Sequence, residues 1–307
     1  MTEIADGITL IDTLLGGVPG RTTGYLVAGD RPAFVDPGPQ TSAEHVVTTL
    51  RGAGLGPDDL AWIVLTHIHL DHCGGAGELA AAFPAATVVV HERGVRHMID
   101  PARLVSASHV VYAEHAPMYG GMSPVPETRV VAAPDGFRVD LGGGRHLEMI
   151  TTPGHARHHM SVLDPATGTV IAGDAVGAHL AGGGLYPTVP PADVDIPAGR
   201  ASLARIREWS PTVVSASHFG PVGDPEAAIA VADEQLAVMG EAALRGWLAG
   251  GGRDAIEREI ERSLPLERAV GTSASAEEWR RLAWYQNNFD GLARWAEAAA
   301  APPPDPA

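Results

Sequence analysis

The chain has 307 residues, 45% of them hydrophobic and 19% charged, enough apolar material for a sizeable buried core. A net charge of −16 argues against a nucleic-acid partner, and a single cysteine, Cys73, excludes an internal disulfide. All 21 basic residues are arginine. The first residues lack a basic stretch followed by a long apolar one, and no segment reaches 18 uninterrupted apolar residues, so a soluble, cytoplasmic protein with no membrane partner is expected.

From Ile8 to Val35 the pattern is short and β-like, with Gly and Pro at the breaks. "TSAEHVVTTLRGAG" reads as a helix with Thr41 or Ser42 as its N-cap. "LAWIVLT" follows as a uniformly apolar strand, "GAGELAAAFP" as a helix and "ATVVVHE" as the next strand, the rhythm of an α/β layered core. Residues 98 to 135 break that rhythm with a long mixed segment carrying His109 and His115, the signature of a lid. The β pattern returns at "FRVDLGGGRHLEMITTPGH" and at "MSVLDPATGTVIAGDA", where "DPATG" is a turn. "ASLARIREWSP" is a helix and "TVVSASHFG" a strand. From Pro225 three segments, the last running continuously from Ser275 to Ala301, have helical period and composition. The tail "PPPDPA" is expected to be disordered.

The chemistry concentrates in "LTHIHLDHCGG", Leu65 to Gly75. Alternate residues of an extended segment point the same way, so His67 and His69 can converge on one ion while a following turn brings Asp71 and His72 towards a second. Imidazole and carboxylate together suit zinc, and also iron, manganese or cobalt. Further donors stand at the ends of β-like runs: His155 in "TTPGH", Asp174 in "IAGDA" and His218 in "SASHFG". A lone histidine at a strand end is usually only solvated, but four such groups within six positions are costly to bury unless a metal holds them. Cys73 reads as a small packed residue rather than a ligand.

"THIHLDH" followed by His155, Asp174 and His218 in that order resembles the metallo-β-lactamase superfamily of hydrolases over roughly residues 7 to 222. The resemblance implies an αββα four-layer sandwich with two divalent metal ions, zinc first and iron or manganese as alternatives, at the edge between two sheets. His67, His69 and His155 would hold the first ion, and Asp71, His72 and His218 the second, with Asp174 bridging. Asp36 in "VDPG" would either orient a ligand histidine or cap the turn before Pro37. Two ions about 3.5–4 Å apart share a water and lower its pKa, and Asp71 would orient it as the catalytic carboxylate.

Aspartate rather than cysteine at 174 speaks against the two-zinc β-lactamases. Histidine at 69 favours hydrolysis over flavodiiron chemistry, and the acidic chain suits the tRNA-processing nucleases poorly. Acyl-homoserine lactonases carry a tyrosine three residues after the bridging aspartate, where this chain has Gly177. The glyoxalase II-like branch fits best, so a thioester of a small molecule is the expected substrate, with a lactone or other ester as alternative. A mononuclear iron enzyme of the persulfide-dioxygenase kind, and a non-catalytic protein whose site is covered by the 98–135 segment, are the competing readings.

Three residues are candidates for substrate contact: His179 and Tyr186 in the Gly-rich "GAHLAGGGLYPT", and His159. His158 and His159 are read first as surface residues or as neighbours of the ligands. Trp279, Trp284, Tyr285, Phe289 and Trp295 read as core or homodimer contacts, with a pocket wall as the alternative. The domains expected are a catalytic domain, 1–222, and a helical extension, 223–307, that packs over the site edge or against a second copy.

Overall fold

A computed structural model describes residues 1–301; the tail expected to be disordered lies outside the described residues. In chain order, β1 (Thr2–Ala5), β2 (Ile8–Asp12), β3 (Thr23–Val27) and β4 (Ala33–Val35) lead into α1 (Ala43–Gly52) and β5 (Trp62–Val64). Then come α2 (Leu70–Cys73), α3 (Ala76–Ala82), β6 (Thr87–His91), α4 (Val95–Ile99), α5 (Ala102–Tyr112), α6 (Ala116–Tyr119) and β7 (Val130–Ala133). The second half holds β8 (Phe137–Gly142), β9 (Arg145–Thr151), β10 (Met160–Asp164), β11 (Thr169–Gly173), α7 (Ile196–Glu208), β12 (Val213–Ala216) and β13 (Gly220–Pro221). It closes with α8 (Pro225–Leu248), α9 (Gly252–Ser263), α10 (Leu266–Val270), α11 (Ser273–Arg281) and α12 (Ala283–Ala300).

The strands form two sheets, one of seven in the order β1 to β7 and one of six in the order β13 to β8. The first is antiparallel up to β4 and parallel from β4 to β7; in the second only β11 and β12 pair in parallel. Strand alternation explains the layering. In β6, Val88 and Val90 belong to the apolar cluster under the helices, whereas Val89 belongs to the cluster between the sheets. In β11, Val170 and Ala172 face the helices and Ile171 faces the other sheet. Strands covered on both faces read as unbroken apolar runs, as "TVVV" and "TVIAG" do. The arrangement is the expected α/β sandwich with helices outside both sheets.

Four local expectations change. Ser42 is the α1 N-cap residue, but its side chain makes no cap; its hydroxyl donates to the Leu14 carbonyl, and Thr41 donates to that of Met118. The 98–135 segment carries the end of α4, then α5, α6 and two short 3-10 turns before it supplies β7 to the first sheet. "LAWIVLT" pairs over only three residues, because the chain leaves the sheet at Leu65 to carry the histidines outward. The run beginning at Ser275 belongs to two helices rather than one, broken at Leu282, whose backbone is extended (φ −103°, ψ 147°) and whose side chain is buried. A single helix could not bury Trp279, Trp284 and Tyr285 on one face; the break lets all three turn inward. The main apolar cluster continues across residue 222, joining Leu203 and Val214 to Leu236, Trp279 and Phe289. Among the described residues no helix is long and apolar enough to cross a membrane.

Candidate metal centre

Seven side chains from four places in the chain converge where the two sheets meet. His67 and His69 lie on the loop leaving β5, and the single turn of α2 swings Asp71 and His72 inward, with the His72 and Cys73 amides donating to the His69 carbonyl. This turn packs tightly: a Cβ on Gly74 would sit 2.4 Å from the Leu70 carbonyl oxygen and 2.8 Å from the Gln40 nitrogen, which accounts for the glycine after the motif. His155 comes from the loop after β9, Asp174 directly follows β11, and His218 follows β12. Donor atoms of His67, His69 and His155 lie within 4.8 Å of one another, as do those of His67, His72 and Asp174, and those of Asp71, His72 and His218.

The surroundings fix which nitrogens face inward. His155 donates from Nδ1 to the Thr188 carbonyl at 2.7 Å, and His218 from Nδ1 to the Arg21 carbonyl at 2.8 Å, so in their neutral forms both present Nε2 lone pairs to the cluster. There His155 Nε2 stands 2.9 Å from His69 Nδ1, and His72 Nε2 stands 3.1 Å from His218 Nε2. His67 Nε2 and Asp174 Oδ1 are buried without a hydrogen-bond partner among the described residues. Crowded, inward-facing lone pairs and an orphaned carboxylate oxygen fit divalent cations well, since a cation is the group that satisfies all of them together.

The electrostatics agree. Burial, with the neighbouring imidazoles, holds His67 and His69 well below the ordinary histidine pKa, and burial also lowers His155. All three are therefore neutral, as ligands must be. Burial would depress His72 too, but the Asp71, Asp174 and Asp36 carboxylates lift it to about 10, so His72 carries a proton that a cation bound there would have to displace. Burial opposes the ionised form of Asp174, yet His218, His72 and His155 hold its carboxyl well below the usual range.

Asp36 acts as a clamp rather than a turn cap. It is fully buried; Oδ1 accepts from the Thr66 amide (2.8 Å), and Oδ2 accepts from the Thr66 hydroxyl (2.7 Å) and the Ser217 hydroxyl (2.7 Å). One carboxylate thus ties the loop bearing His67 to the loop bearing His218, and its Oδ2 lies 3.6 Å from His72 Nδ1. His159 supports the cluster from behind: its Nε2 accepts the Asp174 amide at 3.0 Å and its Nδ1 meets the Thr152 hydroxyl at 2.9 Å. Gly173 permits this approach, because a Cβ there would stand 2.4 Å from His159 Nε2.

A cavity of about 320 Å³ opens over the cluster, and His69, Asp71, His155, Asp174 and His218 form part of its lining. The substrate-contact candidates are corrected here, since none of His159, His179 and Tyr186 lines it. His159 is fully buried behind Asp174, and Tyr186 is fully buried against the Trp279 and Tyr285 rings. The Gly-rich loop serves helix packing instead: a Cβ on Gly183 would meet Ser275 Oγ at 2.3 Å, and one on Gly184 the Ala269 carbonyl at 2.4 Å. Of the walls, the sequence offers Trp284 only through its alternative reading as a pocket wall and does not single out Tyr112. Tyr112, at the end of α5, lies with its hydroxyl 3.4 Å from Asp71 Oδ1 and its ring stacked at 3.7 Å on Tyr119. Trp284 is the one member of the aromatic set lining the cavity; its ring packs 4.2 Å from that of His218 and its Nε1 donates to the Tyr119 hydroxyl at 2.9 Å. His158 also lines the cavity, while Cys73 is buried against Met122. The periodic burial of α12 and the rhythm break at 98–135 were the available signals, but neither identifies a particular side chain.

An αββα fold with a histidine- and aspartate-rich cluster at the sheet edge defines a metallo-hydrolase class. Residues 7–218 match the metallo-β-lactamase superfamily, and the chain belongs to it. A metallo-beta-lactamase fold-containing protein of Sulfurisphaera tokodaii is 35% identical over 170 residues, covering 54% of this chain and 62% of that protein. A hydroxyacylglutathione hydrolase of Acidiphilium cryptum is 34% identical over 140 residues, 45% of this chain and 43% of the enzyme. The aligned stretches thus span less than two thirds of these relatives. The crystal structure of an archaeal metallo-beta-lactamase superfamily protein from Sulfolobus tokodaii superposes with a TM-score of 0.67 at 27% identity, covering 93% of this chain and 98% of that one.

Proposed function

We propose that this chain is a binuclear metal-dependent hydrolase of small carbonyl esters, with a thioester as the leading substrate class. The observation that carries the reading is the grouping of donors: three overlapping sets sharing His67 and His72, which is more than one ion needs. His67, His69 and His155 would hold one ion and Asp71, His72 and His218 the other, with Asp174 between them. Zinc suits this nitrogen and carboxylate set. Two such ions, when bound, supply Lewis acidity and a water acidified towards neutrality.

The protein's own groups do the rest. Asp71 faces both His72 Nε2 (3.7 Å) and His218 Nε2 (3.6 Å) through Oδ2, leaving Oδ1 towards the Tyr112 hydroxyl. In that position it accepts a proton from the attacking water and holds it at Oδ1. The Tyr112 hydroxyl, whose pKa burial and Asp71 push well above 10, stays protonated and serves as a hydrogen-bond donor. Trp284 and Tyr112 dry the site from two sides, which strengthens the electrostatic interactions inside it. The convergence of His72 and His218 supports two ions over a mononuclear iron centre. The cavity above the cluster supports catalysis over a covered, silent site. The likeness to a hydroxyacylglutathione hydrolase favours thioesters among the carbonyl esters.

Elemental analysis of protein purified without added metal, together with turnover of a generic acyl thioester, tests the reading. Two zinc or manganese ions per chain and turnover lost in Asp71→Ala, with the fold retained, are expected. One iron per chain, or full activity in Asp71→Ala, refutes it.

A further inference from the structure

We infer that the cavity is a subsite for an amphipathic organic acid, with Arg96 and Arg103 taking its oxyanion. Which end is cleaved rests on the hydrolase reading; the binding of the acid does not. The cavity of about 320 Å³ corresponds to roughly ten water molecules at liquid volume, space for a compact ligand rather than a polymer. Part of its lining is apolar, with Ile68, Leu104, Val111, Pro190 and Trp284 as walls.

The lining also carries a cationic group of side chains beside the metal donors. Arg96, on α4, and Arg103, on α5, both contribute to the lining, with His97 beside them. Arg96 Nε donates to His97 Nε2 at 3.2 Å, which fixes the guanidinium against the imidazole. Burial, joined by the positive charge of Arg96 and Arg103, lowers the His97 pKa, as expected if all three groups share one spot. Most arginines near carboxylates in this chain form ion pairs; among the described residues neither Arg96 nor Arg103 has a carboxylate within 4.0 Å. The nearby acids are already engaged: Asp193 with Arg157 at 3.5 Å, and Asp100 as acceptor of the Ala102 amide at 3.3 Å. In a chain of net charge −16, two uncompensated guanidiniums in the lining of a cavity favour an anionic ligand.

A separate observation points the same way. Asn287, on α12, lines the cavity and is 7% exposed, yet its Nδ2 has no hydrogen-bond partner among the described residues. A buried amide in that state is unfavourable until an acceptor completes it. A carbonyl or ether oxygen along the body of the ligand would be such an acceptor once a small turn of the Asn287 side chain uncovers Nδ2, which is itself buried. A neutral, wholly apolar ligand would leave Asn287 and both arginines unpaired, and a cationic one would be repelled.

The test uses the full-length protein as purified, with its metal, and two probes of matched size, 4-phenylbutanoate and 4-phenylbutanamide, titrated by calorimetry at low ionic strength. The carboxylate is expected to bind at least tenfold more tightly than the amide, and the preference is expected to fall below twofold in R96Q/R103Q. These arginines are exposed and carry no ion pair, so the variant should fold, and a thermal melt verifies it. Equal binding of the two probes, binding of neither, or a tenfold preference surviving in R96Q/R103Q would overturn the subsite; the last result would place the carboxylate on the metals. A protein that binds the acid as described but turns over no thioester keeps the subsite and loses the hydrolase reading. One that hydrolyses thioesters without regard to charge does the reverse.

Discussion

Replacing Asp36 should injure the protein more than replacing any single metal donor, although Asp36 is not assigned to an ion. Its carboxylate accepts three hydrogen bonds of 2.7–2.8 Å from Thr66 and Ser217 in a fully buried setting. Hydrogen bonds to a charged group contribute about 1.5–3 kcal/mol each, so three taken separately would total on the order of 4–9 kcal/mol. Asp36→Ala recovers part of that, because a buried charge is removed and the two freed hydroxyls can turn to other acceptors. It also loses some more, because Asp36 has φ +54°, a left-handed conformation that aspartate and asparagine tolerate better than alanine. The balance is a loss of about 3–5 kcal/mol. Asp36→Asn keeps the left-handed tolerance and one acceptor oxygen, but its amide nitrogen cannot accept from a hydroxyl; about 1–3 kcal/mol is expected. Urea unfolding at a fixed zinc concentration measures both, and metal titration should show affinity reduced by about 10–100-fold, because the His67 and His218 loops are no longer tied together. A loss below about 1 kcal/mol in Asp36→Ala, or equal losses in the two variants, would refute the clamp.

Other substitutions separate the 98–135 segment, the helical segment and the site. Tyr112→Phe keeps the ring stacked on Tyr119 and removes only the hydroxyl facing Asp71, so kcat on the best thioester should fall about tenfold while the melting temperature barely moves. Unchanged kcat would remove Tyr112 from the mechanism. Gly291→Ala should destabilise by about 1–3 kcal/mol or more, since its Cβ would come within 1.9 Å of the Val189 carbonyl oxygen, and a melt would show it. Glu278→Gln leaves the nearly buried Arg21 without its ion pair and should lower stability by about 1–3 kcal/mol in urea; because the Arg21 carbonyl holds His218, metal affinity should fall with it.

The donor cluster was legible in the sequence because four of its seven members are neighbours in the chain and the other three end β-like runs, where side chains gather at a sheet edge. Asp36 was legible only as a pair of alternatives, because choosing between them requires Ser217, which is 181 residues away. The cavity walls were scarcely legible, Trp284 only as the alternative reading of an aromatic set and Tyr112 not at all. Tyr112 and Trp284 meet over Asp71 and His218 only after α5 and α12 fold across the same opening, and local periodicity carries no such information. The Gly-rich loop misled for a similar reason. Glycines that line a pocket and glycines that admit a helix look alike in sequence, and only the approach of Ser275 and Ala269 separates them. The break at Leu282 was hidden because both flanking stretches are good helix formers.

Gly177 bears on how such a site acquires its chemistry. The resemblance to acyl-homoserine lactonases would put a tyrosine there, but Gly177 has φ +82°, and a Cβ would lie 2.5 Å from the Tyr186 carbonyl oxygen. Its amide donates to the Asp174 carbonyl at 3.0 Å, and the next residue pairs with Tyr186 in an isolated β-bridge. A tyrosine at 177 would therefore have to open this turn, not merely fill a gap beside it. The chain instead presents a phenol from the opposite side: Tyr112 lies on the 98–135 segment and faces Asp71 rather than Asp174. Under the proposed function, the group meeting the substrate would be borne by the segment that departs from the strand and helix rhythm, while the candidate metal donors stay on the sheet edge. Substrate preference should then follow that segment. Changes in α5 should shift which acyl group is accepted without disturbing metal stoichiometry, whereas changes at Asp36, Thr66 or Ser217 should disturb metal binding with little effect on that preference.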